Sequence, residues 1–296
     1  MSAVLGLLDV FDIANNLSSR VGGVLSDAIQ MTKEDLLAKA ASNFDVVILP
    51  PNLTGQRGEG ESEIHDWLLQ QHQLGTTMCS VCAGAFWLGN SGLLDGRPAT
   101  THWLLEREFQ HSFPNTQLNS EHLLVDDHDI VTAGGIMAWL DLGLYIVQRW
   151  QGSSVMTDTA RQLLVDPSGR EQRNYRSFRP ILNHGDDTIL KLQHWMERNF
   201  KSPLQTADMA QQTGLGNRTL LRRFKKATGL TPNNYLQELR IEKARGLLER
   251  TRNPIVDIGW QVGYSDASAF SRLFKEITGI SAGDYRKRFG VTDHQA

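Results

Sequence analysis

Cys82 stands where a stretch of extended, apolar-rich chain, Thr76-Thr77-Met78-Cys79-Ser80-Val81, gives way to the helix-forming run Ala83-Gly84-Ala85-Phe86-Trp87-Leu88. A sharp strand-to-helix break is the geometry of a nucleophile elbow, which exposes a side chain on a tight turn beside the N–H groups of a helix start. The field at that start lowers a thiol pKa, so the sequence predicts an exposed, acidified Cys82. Two roles are open to it: a nucleophile, or an inert cysteine that only makes the turn. Cys79 lies within the strand and is expected to be buried, so Cys79-x-x-Cys82 does not read as a redox pair. Two thiols are too few for a zinc site and no histidine pair stands beside them at metal spacing. No metal or cofactor is expected. His102, between Thr101 and Trp103, could supply a base, hold local structure or touch a ligand.

A second constellation is cationic. Arg218, Leu221, Arg222, Lys225 and Lys226 share one face of a predicted helix, as do Ser268, Ala269, Ser271, Arg272 and Lys275 on another. Arginine reaches guanine bidentately, serine serves several bases, and leucine or alanine can meet a thymine methyl. Lysines near a helix end suit phosphates, which give affinity without sequence information. Arg222 and Arg272 could instead hold carboxylates inside their own units, and a solvated charged face is the plain alternative for all of them. Charge distribution favours a polyanion. Residues 1–187 carry 12 Lys/Arg against 23 Asp/Glu, and residues 188–296 carry 18 against 10, so a net −3 hides an acidic body and a basic C-terminal segment.

The elements that must position these cations repeat. Leu220/Phe270, Arg222/Arg272, Phe224/Phe274, Lys225/Lys275, Thr228-Gly229/Thr278-Gly279 and Tyr235/Tyr285 pair at an offset of 50, and Gly214-Leu215 pairs with Gly263-Tyr264 at 49. The single added residue belongs in a turn. Each copy reads as helix, short turn, helix: Ala207 to Thr213 ended by Gly214, then a helix capped by Asn217; Ile255 to Val262 ended by Gly263, then a helix capped by Ser265 or Asp266. Two such helices make a helix-turn-helix, whose second member normally enters the major groove. Between the copies, Pro232 opens a helix with an apolar stripe through Tyr235, Leu236, Leu239, Ala244, Leu247 and Leu248. That helix is long enough, at ~1.5 Å per residue, to hold the two units apart, and a separation near one duplex turn, ~34 Å, would let both recognition helices enter successive major grooves on one DNA face.

The remaining residues, 1–182, alternate strand and helix patterns. Phe44 to Leu49, Thr76 to Val81 and Ile130 to Ala133 read as strands; Ile64 to Gln73 and Met137 to Trp150 read as helices. This implies a mainly parallel sheet covered by helices, with ligands at the carboxyl ends of the strands. Candidate pocket residues are therefore Pro51, Cys82, Ala83, Gly84, His102 and Gly135. With 40% apolar and 21% charged residues the composition is that of a globular protein, and no window approaches the roughly 18 apolar residues of a membrane span. No signal peptide opens the chain, so the cytoplasm is the expected compartment.

Residues 188–290 resemble the AraC-type DNA-binding domain, through Asn217-Arg218-Thr219-Leu220-Leu221-Arg222-Arg223-Phe224-Lys225 and Gly263-Tyr264-Ser265-Asp266-Ala267-Ser268-Ala269-Phe270-Ser271-Arg272-Leu273-Phe274-Lys275, followed by Thr278-Gly279 and Asp284-Tyr285-Arg286-Lys287-Arg288-Phe289. Ala282 stands where that family usually has proline. The resemblance implies that Arg218, Leu221, Arg222, Ser268, Ala269, Ser271 and Arg272 face bases or nearby phosphates. The first half resembles the class I glutamine-amidotransferase-like superfamily, in its ThiJ and intracellular-protease branch. The matching runs are Leu49-Pro50-Pro51, Ser80 to Phe86, Gly92 to Trp103, and Thr132-Ala133-Gly134-Gly135 with Asp141. Together the halves are similar to the GlxA-type subfamily of AraC regulators.

The resemblance implies a flavodoxin-like, mainly parallel sheet with helices on both faces over residues 1–182. An all-α domain with two helix-turn-helix units follows over 183–296. Ala3 to Phe11 corresponds to the loop after the family's first strand, so that strand is expected to be absent; Ala3 replaces the acid that enzymes of the superfamily hold near the thiol, while Asp9 persists. The expected protein is a regulator and not an enzyme. Its expected partners are a double-stranded DNA operator, a small-molecule effector, a second copy of itself and, for an activator, RNA polymerase. The competing reading is a cysteine hydrolase or amidase with a DNA-binding appendage. A third is a constitutive regulator whose first half only dimerises.

Overall fold

The computed structural model describes residues 2–38, 43–52, 55, 57–167 and 170–290. The chain forms two compact units, Met1–Gln172 and Arg173–Ala296. The division falls earlier than 182/183 because residues 174–178 already bond within the second unit, Asn174 to Thr278 and the Phe178 amide to Glu242.

The first unit opens with helices α1 (Ser2–Ser19) and α2 (Lys33–Ala38), then runs through β1 (Val46–Leu49), α3 (Ser62–Gln73), β2 (Thr77–Val81), α4 (Ala85–Asn90), β3 (Pro98–Ala99), α5 (Glu106–Ser112), β4 (Gln117–Leu118), β5 (Leu124–Asp127), β6 (Ile130–Ala133), α6 (Trp139–Gln151) and α7 (Ser153–Gln162). Its main sheet has the order β1-β2-β6-β5. β1, β2 and β6 are parallel, with Cys79 facing Ile48 on one side and Val131 on the other. β5 turns back antiparallel to β6, while β3 and β4 make a separate short parallel pair.

Alternation along β2 sorts the two cores. Cys79 and Val81 pack with Val131 and Ala133 against Leu7, Val10, Phe11 and Ala14 of α1 and Leu142, Ile146 and Val147 of α6. Met78 points the other way, into Trp67 and Leu68 of α3, Phe86 and Leu88 of α4, and Phe109 of α5. Helices on both faces are what buried parallel strands require.

Residues 3–11 do not form the expected loop. Ala3, Leu7, Val10, Phe11 and Ala14 are buried along an eighteen-residue helix, at the spacing that gives one apolar helical face. Among the described residues no strand precedes Val46.

The second unit is helical: α8 (Asp187–Asn199), α9 (Thr206–Thr213), α10 (Asn217–Thr228), α11 (Pro232–Arg250), α12 (Ile255–Gln261), α13 (Ala267–Thr278) and α14 (Ala282–Phe289). α11 belongs to both of its cores. Tyr235, Leu236 and Leu239 join Leu220 and Phe224 in one; Ile241, Ala244 and Leu248 join Phe270 and Phe274 in the other. At about 1.5 Å per residue α11 is roughly 28 Å long, and both helix pairs are built on it.

Candidate nucleic-acid interface and cysteine elbow

The two helix pairs repeat bond for bond at their ends. Gly214 ends α9 in the left-handed conformation at φ 67°, and Gly263 follows α12 at φ 94°. In α10, Leu220 and Phe224 are buried and the Thr228 hydroxyl donates to the Phe224 carbonyl at 2.8 Å. In α13, Phe270 and Phe274 are buried and the Thr278 hydroxyl donates to the Phe274 carbonyl at 2.7 Å. Both threonines thereby bury a hydroxyl without leaving it unsatisfied, and Gly229 and Gly279 close the two helices alike.

The starts of the two helices differ. Asp266 caps α13, accepting from the Ser268 and Ala269 amides at 2.8 and 3.3 Å. α10 is preceded by Gly216 in extended conformation, and Asn217, expected as the cap, is its first helical residue. Pro232 opens α11 behind a Thr231 cap. Ser281 caps α14, so Ala282 costs that helix nothing essential.

Burying one face of α10 and α13 turns the opposite face outward. Arg218, Leu221, Arg222 and Lys225 are exposed on α10; Ser268, Ser271, Arg272 and Lys275 are exposed on α13, with Ala269 half-buried. Among the described residues, neither Arg222 nor Arg272 is held by a carboxylate. The clamp is made by the neighbouring Arg223, whose Nε and Nη2 donate to Asp186 at 2.9 and 2.7 Å. One residue of helix is a 100° step, enough to separate an inward-turned arginine from an outward one. Arg272 and Lys275 also line a depression with Ile255, Ser281, Ala282 and Gly283.

Asp186 caps α8 as well, accepting from the Ile189 amide. Arg223 is the first cause of its lowered pKa. A carboxylate with a folded pKa below its unfolded value stabilises above the unfolded pKa, about 3.9, and loses that contribution as pH falls through the folded value. Asp186→Asn is therefore expected to flatten the loss of second-unit stability between about pH 5 and pH 3. Urea titrations of the full chain at each pH check this, and an unchanged acid limb would remove the clamp from the account.

The six pocket candidates gather at the carboxyl ends of the parallel strands. Pro51 follows β1, Cys82 follows β2, and Gly134-Gly135 follows β6. Cys82 takes φ 55° and starts a short 3-10 turn, Cys82–Gly84, that leads into α4. Gly84 lies so close to the Leu49 carbonyl that a Cβ there would sit 2.4 Å from its oxygen. Thr101, beside His102, donates its hydroxyl to the Cys82 carbonyl at 2.8 Å.

The elbow is present, but its thiol is not exposed or acidified as expected. Cys82 is 4% exposed. Burial pushes its pKa up, outweighing the Ala83 and Gly135 amides and the Arg57 charge that favour the thiolate. Cys79 is fully buried and pushed up to about 12. His102 Nδ1 accepts from the Leu104 amide at 3.1 Å, so the ring caps a turn, and burial lowers its pKa. Arg57, which no sequence pattern singled out, stacks over Phe86 and pairs with Glu108.

Residues 209–288 match a helix-turn-helix domain model and residues 23–149 match the DJ-1/PfpI family. The HTH-type transcriptional regulator ArgR of Pseudomonas aeruginosa is 32% identical over 75% of this chain and 67% of its own length. The HTH-type transcriptional regulator GlxA of Rhizobium meliloti is 31% identical over 77% of this chain and 71% of its own. This chain belongs to the GlxA-like AraC-type regulators. Among solved structures, Drosophila melanogaster DJ-1beta is 24% identical with a TM-score of 0.42, over 53% of this chain and 91% of that one. The helix-turn-helix match lies wholly in the second unit and the DJ-1/PfpI match wholly in the first. Among the described residues no helix is long and apolar enough to cross a membrane.

Proposed function

We propose that this AraC-type chain regulates transcription by binding an operator in duplex DNA through α10 and α13. Arg218, Leu221, Arg222 and Lys225 face one major-groove segment; Ser268, Ala269, Ser271, Arg272 and Lys275 face the next. The observation that carries this reading is the pair of structurally repeated helix-turn-helix units, each leaving an arginine, 222 or 272, outward and, among the described residues, without a carboxylate clamp. The first unit takes a small effector at the strand ends around Pro51, Cys82, Ala83, Gly84, His102 and Gly135, and supplies the surface for a homodimer. RNA polymerase is a further partner where the chain activates.

Thiol catalysis is set aside on the chemistry of the elbow: Cys82 is buried, its pKa is raised, and His102 is committed to a turn. DNA binding is tested by selecting duplexes from random sequence on the full chain and titrating the winner at several salt concentrations. Each neutralised phosphate contributes about −0.9 to the slope of log affinity against log salt, so a steep negative slope is expected. Failure to enrich any sequence, or a flat salt profile, would remove DNA as the partner.

A further inference from the structure

Within the second unit α11 carries both helix-turn-helix cores, but one shared helix does not by itself fix how α13 is turned relative to α10. Further contacts hold α13 at each end. The turn before it packs on the chain that follows α8: a Cβ on Gly263 would lie 2.8 Å from the Phe200 and Lys201 carbonyl oxygens, and Arg240 of α11 holds the Phe200 carbonyl. The far end is held by residues 173–186, an arm that precedes α8. Beyond the 3-10 turn that ends at Asn174, the arm forms no helix or strand.

The arm begins on the second helix-turn-helix. Asn174 is 2% exposed. Its Nδ2 donates to the Thr278 carbonyl at 2.8 Å and its Oδ1 accepts from Arg288 of α14 at 3.3 Å. Thr278 is the last residue of α13, where backbone carbonyls have no partner within the helix, so Asn174 caps the second recognition helix from outside it. Arg288 also donates to the Tyr175 hydroxyl at 2.7 Å. The arm then runs antiparallel along α11: the Arg173 carbonyl accepts from Arg245 at 3.3 Å, and the Phe178 amide donates to Glu242 at 3.0 Å. It ends on the first helix-turn-helix. There the Phe178 ring meets Tyr235 edge-on at 5.1 Å, against the core that holds Leu220 and Phe224 of α10. Further on, the Ile181 carbonyl accepts from buried Gln193 at 2.9 Å, and Arg223 of α10 clamps Asp186.

We infer that residues 174–178 are a brace that fixes the angle of α13 relative to α10, with Asn174 and Phe178 as positioning residues for operator reading. Held only at its start, α13 could swing about the Gly263 turn; a second hold at Thr278 fixes the direction of its axis. Two recognition helices held at a fixed angle make an operator sensitive to spacing. Each inserted base pair moves one segment about 3.4 Å along the duplex and about 35° around it, and a braced α13 cannot follow. The DNA consequence rests on the proposed function; the brace itself does not.

Asn174→Ala removes the cap, and Phe178→Leu keeps an apolar side chain on the first core while removing the ring contact. Spin labels on Lys226→Cys and Glu276→Cys, exposed and equivalent positions of α10 and α13, report the distance between the helices in the full chain without DNA. Both native cysteines are buried and stay unlabelled. The distance distribution is expected to be narrow in the otherwise unaltered chain and to broaden in both variants. On an operator selected by the wild-type chain, one base pair inserted between the two segments should cost each variant about fivefold less affinity than it costs the wild type, the scale of one net hydrogen bond. Discrimination against mismatches in the α10 segment should be retained. A loss of stability alone would lower the melting midpoint and leave the spacing ratio where it is. Unchanged distributions in both variants, or an unchanged spacing ratio, would overturn the brace as a positioning device. Failure of the wild-type chain to select any duplex would overturn the proposed function instead, and the distance distributions would then decide the brace.

Discussion

Arg222→Ala and Arg272→Ala are each expected to weaken operator binding about 5- to 150-fold, the range that about 1–3 kcal/mol for a bidentate arginine–guanine contact implies, with thermal stability unchanged. Both side chains are exposed and neither is clamped by a carboxylate among the described residues, so truncating them removes nothing that holds the fold. The same substitution one residue along has the opposite signature. Arg223→Ala breaks the bidentate pair with Asp186 and should lower stability slightly, as befits a half-exposed ion pair, with binding affected only through α10's position. Lys225→Ala tests the phosphate role: affinity falls uniformly across sequences and the salt slope shrinks by about one. Anisotropy titrations on matched and singly mismatched duplexes, with melts of each variant, separate the three. Wild-type affinity in both Arg222→Ala and Arg272→Ala would end the base-reading assignment.

That contrast also marks how far the sequence could be read. The second unit was legible because its determinants are local. Helical spacing put Phe224, Phe270 and Phe274 inside, Gly214 and Gly263 ended helices, and Asp266 and Pro232 began them. Strands such as Val46–Leu49 and Ile130–Ala133 were legible as apolar runs. What failed depended on choosing between adjacent residues or on partners far along the chain. Gly216 and Asn217 both permit a helix start, and composition does not choose. Arg222 and Arg223 are chemically identical, and only the position of Asp186, 37 residues upstream, turns one into a clamp. At the N-terminus a family pattern suggested a loop where the spacing of Ala3, Leu7, Val10, Phe11 and Ala14 specifies a helix. The elbow motif overstates the acidity of Cys82 because burial is a tertiary property, and the 4% exposure that raises its pKa is set by elements the motif does not contain. Gln172 and Asn174 left no trace in the sequence at all: their partners lie at separations of 50 to 114 residues.

The two turn glycines look interchangeable in the repeat, yet their replacement by alanine should differ about twofold in cost. At Gly214 the φ is 67° and an added Cβ meets nothing within 4 Å, so Gly214→Ala incurs only the left-handed backbone penalty, about 1–2 kcal/mol. At Gly263 the φ is 94° and the Cβ would lie 2.8 Å from both the Phe200 and Lys201 carbonyl oxygens. Those carbonyls cannot retreat freely. Arg240 on α11 donates to the Phe200 carbonyl at 2.8 Å and to the Ser202 carbonyl at 2.7 Å, fixing the chain that follows α8. Overpacking of this kind adds about 1–3 kcal/mol, for a total of roughly 2–5 kcal/mol in Gly263→Ala. For a unit of this size each kcal/mol moves the midpoint by about 4 °C. Calorimetry of the full chain, following the transition that operator DNA raises, should show the Gly263→Ala shift at least twice that of Gly214→Ala. Equal shifts would mean that the segment after α8 yields, and that the first helix-turn-helix core does not brace the turn of the second. The distinction bears on DNA binding, because a braced turn fixes the angle at which α13 leaves α12 and presents Ser268, Ser271 and Arg272.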